Sequence, residues 1–258
     1  MKKILLNATY VALFAYILAA ILLYSFQRDL LYFPSAKYDH EFERFSISSN
    51  DETLEIIVLN RDQPKALIYF GGNGEAVVAK AKEFSSELSG VTTYLVNYRG
   101  YGGSSGKPTE SGIYADALAV YDHLKGSHTQ FSVAGRSLGS GVATYLAANR
   151  PIESLALITP YDSVLDVAKH KFKMFPIKLL LKDRYDSLSR VERIKSKVLV
   201  IAAEHDRVIP MRNTQRLVDA FESDKVVLKV IDDVGHSSLS ISPEYYQALR
   251  DFMGIRSS

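Results

Sequence analysis

The 258-residue chain contains no cysteine, which excludes disulfides, thiolate catalysis, cysteine-based metal sites and a cysteine-linked lipid anchor together. The redox compartment is left open by the same absence. An excess of one charge is also lacking. The 31 basic and 29 acidic side chains leave a formal net charge of +2, without the concentrated basic surface of a nucleic-acid binder. No repeat or low-complexity segment interrupts the chain from about residue 41 onward, which argues against solenoid and disordered architectures. What the chain does have is 47% hydrophobic residues, enough for the core of one sizeable α/β domain.

The first apolar stretch is a separate matter. After Lys2 and Lys3 the sequence runs ILLNATYVALFAYILAAILLYSF, with only Asn7, Thr9 and Ser25 as polar interruptions before Arg28 and Asp29. At about 1.5 Å per residue such a helix reaches roughly 34 Å, enough to cross a hydrocarbon core of about 30 Å. Residues 1–28 are therefore expected to form a single-pass signal anchor, and residues 29–258 one folded domain. The two leading lysines place the amino terminus on the cytoplasmic side and the domain on the other, by the positive-inside rule. A cleaved signal peptide, with Ala19 and Ala20 supplying the processing site and a secreted product, is one alternative. An amphipathic helix lying over the domain is another, although apolar residues occupy all of its faces.

Beyond the anchor, β-branched and aromatic runs alternate with helical stretches. The expected strands are residues 42–48, 54–60, 66–70, 92–97, 130–134, 154–159, 197–203 and 226–231. The first two have no helix between them and read as a hairpin through Ser49, Asn50 and Asp51. The rest predict a mostly parallel eight-stranded sheet. Nearly continuous apolar runs such as VLVIAA imply helices on both faces. In open sheets of this kind ligands bind outside the strand carboxyl ends, so chemistry is sought there.

The fifth strand ends in GRSLG, with Ser137 in a G-x-S-x-G pattern between a strand and a helix. Gly135 and Gly139 omit the Cβ atoms that would collide in the sharp turn such a nucleophile needs. A serine hydroxyl is a poor nucleophile at neutral pH and requires a base, itself oriented by an acid. His236 follows the last strand on a Gly-containing loop, whereas His40, His123, His128 and His170 lie away from strand carboxyl ends and read as surface residues. Asp206 follows the seventh strand and is the expected acid, with Asp232, Asp233 and Glu204 as rival carboxylates that would otherwise be solvated. His205 adjoins Asp206, but neighbours on an extended segment point in opposite directions. For a tetrahedral oxyanion, backbone N–H donors are expected from Leu138 at the helix start and from Asn73 in the FGGNGE loop. A plain glycine turn is the other reading of that loop.

These residues carry a resemblance. The segments LLYFPS, YFGGNGE, NYRGYGGSSGKPTESGIYADALAVYDHL, GRSLGSGVA, LKDRYDSL, EHDRVIP and GHSSL together resemble the α/β-hydrolase superfamily over nearly the whole chain. Within it they are similar to the small membrane-anchored serine hydrolases that include depalmitoylating thioesterases. The resemblance implies the chain order Ser137, Asp206, His236 for a catalytic triad. Gly71 stands where many members carry histidine, a change that a backbone oxyanion donor survives.

Between the sixth and seventh strands, residues 160–190 exceed a minimal helical connection and form a candidate small helical lid. Phe172, Met174 and Phe175 would line an acyl pocket there, and Lys169, Lys171, Lys173 and Lys178 would face anionic headgroups. An ordinary helix with a solvated basic face is the other reading. The expected reaction is hydrolysis of an acyl ester or thioester through an acyl-enzyme. No metal or organic cofactor is called for, since the protein supplies both oxygen activation and oxyanion stabilisation. Amide hydrolysis, or a scaffold that kept the fold without turnover, are the alternatives.

Overall fold

The computed structural model describes residues 1–255. β1 (Glu43–Ser49) and β2 (Glu52–Leu59) pair antiparallel through Asn50 and Asp51, whose φ angles are 44° and 63°. Asn and Asp tolerate the left-handed region that such tight hairpin turns demand. The turn uses only these two residues, so β2 begins ahead of residue 54. β2 is also antiparallel to β4 (Thr92–Val96). From there β3 (Lys65–Phe70), β5 (Gln130–Arg136), β6 (Ser154–Ile158), β7 (Lys197–Ala203) and β8 (Val226–Ile231) run parallel. Among the described residues this gives one eight-stranded sheet in the order β1-β2-β4-β3-β5-β6-β7-β8. β5 runs on past residue 134 because Arg136 still pairs with Ile158.

Helices cover both faces. α3 (Glu110–Leu124), α4 (Leu138–Asn149) and α7 (Met211–Asp219) pack on one side, and α2 (Ala81–Glu87) and α8 (Pro243–Met253) on the other. The continuous run in β3 follows from this arrangement: Ile68 and Phe70 enter the α3/α4 core while Leu67 and Tyr69 enter the α2/α8 core, none more than 1% exposed. Full burial of each aliphatic side chain contributes roughly 1.5–3 kcal/mol. A polar residue on either face would lose that and leave an unpaired group.

α5 (Val164–Lys171) and the short α6 (Ile177–Leu180) fill the connection between β6 and β7. α1 (Lys2–Leu31) has no fully buried residue and a mean hydropathy of 2.1 over its most apolar window. Thirty residues make it about 45 Å long, sufficient to cross a membrane with its last turns outside. The helix continues past residue 28 because its final turn is bonded to the domain. Arg28 Nε meets Asp183 Oδ2 at 2.8 Å, and Gln27 donates to the Leu180 carbonyl at 3.0 Å while accepting the Lys182 N–H at 2.6 Å.

Candidate active site

The parallel strands end in register, Phe70 beside Gly135, Gly135 beside Leu157 and Ile158 beside Ile201, so the loops that follow converge on one edge. Ser137 alone makes the turn between β5 and α4, with φ 49° and ψ −115°. That conformation is costly for a residue with a Cβ, on the order of 1–3 kcal/mol, and persists only where surroundings over-determine it. Here the Ser137 N–H donates to the Ile158 carbonyl at 2.8 Å, and its carbonyl accepts from Ser140 Oγ at 2.7 Å. The flanking glycines are required by close approach. A Cβ on Gly139 would strike the Phe70 carbonyl, and one on Gly135 would strike the Gly139 carbonyl.

Three of the residues singled out in the sequence meet at this turn. His236 Nε2 lies 3.0 Å from Ser137 Oγ, and its Nδ1 lies 2.7 Å from Asp206 Oδ2. The other oxygen of Asp206 accepts the N–H groups of Val208 and Ile209, both at 2.8 Å, so the carboxylate is aimed by its own loop. That explains which acid is chosen among several. Asp233 has a side chain 98% exposed, and Asp232 and Glu204 are also exposed. Glu204, His205 and Asp233 do lie close enough to share a cation, but all three are solvated and Glu204 Oε2 is engaged by the Asp233 N–H. His128 is held structurally between the Gln63 carbonyl and the Tyr94 hydroxyl.

The glycine loop after β3 reaches the same place. A Cβ built on Gly72 would sit 3.7 Å from Ser137 Cβ. Among the described residues neither the Asn73 N–H nor the Leu138 N–H donates a hydrogen bond, leaving both free beside the serine. The Asn73 side chain is fully occupied elsewhere. Its Oδ1 accepts from the Phe33 N–H and the Tyr101 hydroxyl, each at 2.9 Å, and its Nδ2 donates to the Leu31 carbonyl at 2.5 Å. Burial pushes the Tyr101 phenol up to about 12, with the Phe33 N–H bond working the other way, so it remains a neutral donor.

Two residues absent from the sequence reading organise the site. Arg136 Nη1 bonds Glu75 Oε2 at 2.6 Å with both side chains nearly buried, and Arg136 Nη2 donates to the His236 carbonyl at 2.9 Å. Glu75 Oε2 also accepts the Gly72 N–H at 3.0 Å, and Oε1 accepts the Tyr69 hydroxyl at 2.7 Å. One ion pair thus ties the glycine loop, the serine turn and the histidine loop together. Burial works against the Arg136 charge, but the Glu75 carboxylate together with the neighbouring Tyr69 and Tyr245 holds the guanidinium above its ordinary range. The available signal was a Glu and an Arg at adjacent strand ends, in GNGE and GRS.

The lid residues separate. Phe172 borders an apolar groove beside α1, Phe175 stacks on Tyr16 at 5.2 Å between ring centres, and Met174 is exposed. Of the lysines, Lys169 is tied to Asp166 at 2.7 Å, Lys171 lies at the groove, and Lys173 and Lys178 are exposed.

No protein-family model matches the chain. An uncharacterised protein of Mycobacterium tuberculosis is 32% identical over 88% of this chain and 87% of its own length. Lysophosphatidylserine lipase ABHD12 of Xenopus tropicalis is 32% identical over 76% of this chain, which spans 59% of that lipase. Among solved structures, the esterase Pf2001 of Pyrococcus furiosus superposes with a TM-score of 0.70 at 17% identity, covering 88% of this chain and all of the esterase.

Proposed function

The chain belongs to the α/β-hydrolase superfamily, and on that footing we propose that it is a membrane-anchored serine hydrolase that cleaves carboxylic ester or thioester bonds of acyl, lipid-like substrates. The observation that carries this reading is the continuous relay from Asp206 through His236 to Ser137, with links of 2.7 and 3.0 Å. Its neighbours among lipases and esterases favour ester chemistry over amide chemistry.

Ser137 Oγ attacks the acyl carbonyl while His236 Nε2 takes its proton, and Asp206 stabilises the imidazolium through Nδ1. The oxyanion lies between the Asn73 and Leu138 N–H groups, which need no reorganisation because neither donates a hydrogen bond among the described residues. Collapse breaks the bond to the alcohol or thiol, which leaves with the proton from His236. Water then gives its proton to His236 and attacks the acyl-enzyme, and the acid departs as Ser137 regains its hydrogen. Turnover of a p-nitrophenyl ester and an S-acyl thioester tests the reading. Wild type is expected to hydrolyse at least one with an initial burst, and Ser137→Ala to lose at least ~10³-fold in kcat. Equal turnover by both proteins would overturn it.

α1 and the two leading lysines support residues 1–28 as an uncleaved signal anchor and 29–258 as the catalytic domain facing away from the cytoplasm. In sealed microsomes the domain is then expected to resist protease added from the cytoplasmic face. Digestion from that side would reverse the orientation.

A further inference from the structure

α1 carries features that a simple tether does not need. Gln27 and Arg28 are polar residues in the last turns of an apolar helix, and both bond the lid connection rather than water alone. Asp183, the partner of Arg28, is buried and also accepts the Tyr32 hydroxyl at 3.2 Å, and Tyr32 in turn lies 2.9 Å from the Tyr185 hydroxyl. Higher up, the Tyr16 hydroxyl donates to the Met174 carbonyl at 2.8 Å. From Tyr16 to Leu31 is about 22 Å of helix, so the lid runs alongside the anchor for nearly half its length. Ala19 and Ala20, half-buried, permit the close approach. The anchor is therefore held at a fixed angle to the lid.

Between them lies a groove of about 330 Å³, within the range of roughly 300–1,000 Å³ seen for small-ligand sites. Leu23 and Leu30 of α1 line one side, Val167, Phe172 and Leu180 the other, and Phe33 also borders it. Along α1 the groove reaches Leu23, inside the apolar span. Two of its lining residues, Leu31 and Phe33, are hydrogen-bonded to the glycine loop. The Phe33 N–H donates to Asn73 Oδ1 and the Leu31 carbonyl accepts from Asn73 Nδ2, Asn73 being the residue whose own N–H is assigned to the oxyanion, and a Cβ built on the adjacent Gly72 would lie 3.7 Å from Ser137 Cβ. In the same lid connection Met174 and Leu179 are each 80% exposed, and the exposed Lys173, Lys178 and Lys182 stand among them in sequence. Apolar side chains interleaved with lysines suit the boundary of a lipid bilayer.

We propose that this groove holds the acyl chain of a membrane-resident substrate, with α1 as one wall, so that the tail passes sideways from the bilayer between anchor and lid toward Ser137. The anchor is then part of the substrate site. An acyl chain is the occupant because one wall of the groove is a helix of membrane-spanning length and two of its lining residues, Leu31 and Phe33, bond Asn73 of the carbonyl-binding loop. A soluble short ester would gain nothing from the outer wall. The proposal rests on the serine-hydrolase reading.

The test uses the full chain in phosphatidylcholine nanodiscs, comparing kcat/KM for a long-chain and a short-chain ester, p-nitrophenyl palmitate and acetate. Leu23→Trp and Val167→Trp, which fill the groove from opposite walls, are each expected to lower the palmitate-to-acetate ratio at least tenfold. Ile4→Trp, at the far end of α1, is expected to keep the wild-type ratio. A C16 alkyl fluorophosphonate with a terminal diazirine is expected to label Ser137 and, on irradiation, to cross-link to the peptide containing Leu23 and Leu30. Labelling of Ser137 with cross-links elsewhere, or an unchanged ratio in both tryptophan variants, overturns the groove and leaves the hydrolase reading standing. Absence of any label on Ser137 defeats both.

Discussion

At the scale of single residues, the proposed nucleophile and base were legible because each combines a residue type with a position. Ser137 sits in a glycine-flanked turn between strand and helix, and His236 follows the last strand. Asp206 was less distinct among neighbouring carboxylates, and what separates it is local: two backbone N–H groups of its own loop hold the carboxylate toward the imidazole. Asp206→Asn is expected to lower kcat by about 10³–10⁴-fold with KM little changed, since it leaves shape intact but favours the wrong imidazole tautomer. Glu75 and Arg136 escaped the sequence because a charged residue in a loop ordinarily reads as solvated. Their partnership exists only through strand register. Arg136→Met would leave Glu75 buried beside Tyr69 without its cation, at a cost of about 3–5 kcal/mol. Adding Glu75→Gln should recover part of that loss, and thermal melts of the single and double variants measure the coupling.

At the scale of elements, all eight strands were readable to within about two residues, the inner ones because runs buried on both faces contain almost nothing polar, the edge strands β1 and β8 because β-branched and aromatic residues recur in them although most of their positions are exposed. The candidate lid was readable only as an overlong connection. That it lies against α1 follows from pairs more than 150 residues apart, such as Tyr16 with Met174 and Gln27 with Leu180, which no local pattern encodes. α5 itself is set by short-range chemistry. Ser163 caps its start, accepting the Asp166 N–H at 3.0 Å, and Asp166 bonds Lys169 and Arg216. The Lys169 hydrogen bond, joined by Arg216, holds the Asp166 carboxyl below its ordinary range. A depressed carboxylate contributes its attachment above the unfolded pKa of about 3.9 and loses it as pH falls through the folded value. Hydrogen exchange in residues 164–171, corrected for intrinsic rates, is therefore expected to show protection at pH 6 that fades below about pH 4. Asp166→Asn should lack that pH dependence.

At the scale of the whole molecule, the chain has 16 tyrosines and no tryptophan, and several tyrosines lie in the core. Burial drives the phenols of Tyr69, Tyr98, Tyr185 and Tyr245 well above their usual 10. A group whose folded pKa is raised contributes stability that is complete below its unfolded value and is lost as pH rises beyond it. Melting temperature should accordingly fall steeply above about pH 10, with tyrosinate absorbance from these residues appearing only on unfolding. Early ionisation of the full tyrosine complement with no loss of melting temperature would contradict the packing described. The sheet, its two helical layers and the convergent loops all serve one arrangement, the relay at Ser137. Intact-protein mass spectrometry after reaction with a fluorophosphonate tests it most directly. A single adduct is expected that maps to Ser137, is abolished in Ser137→Ala and is strongly slowed in His236→Ala. An unmodified wild-type protein, or an adduct that persists in Ser137→Ala, would contradict it.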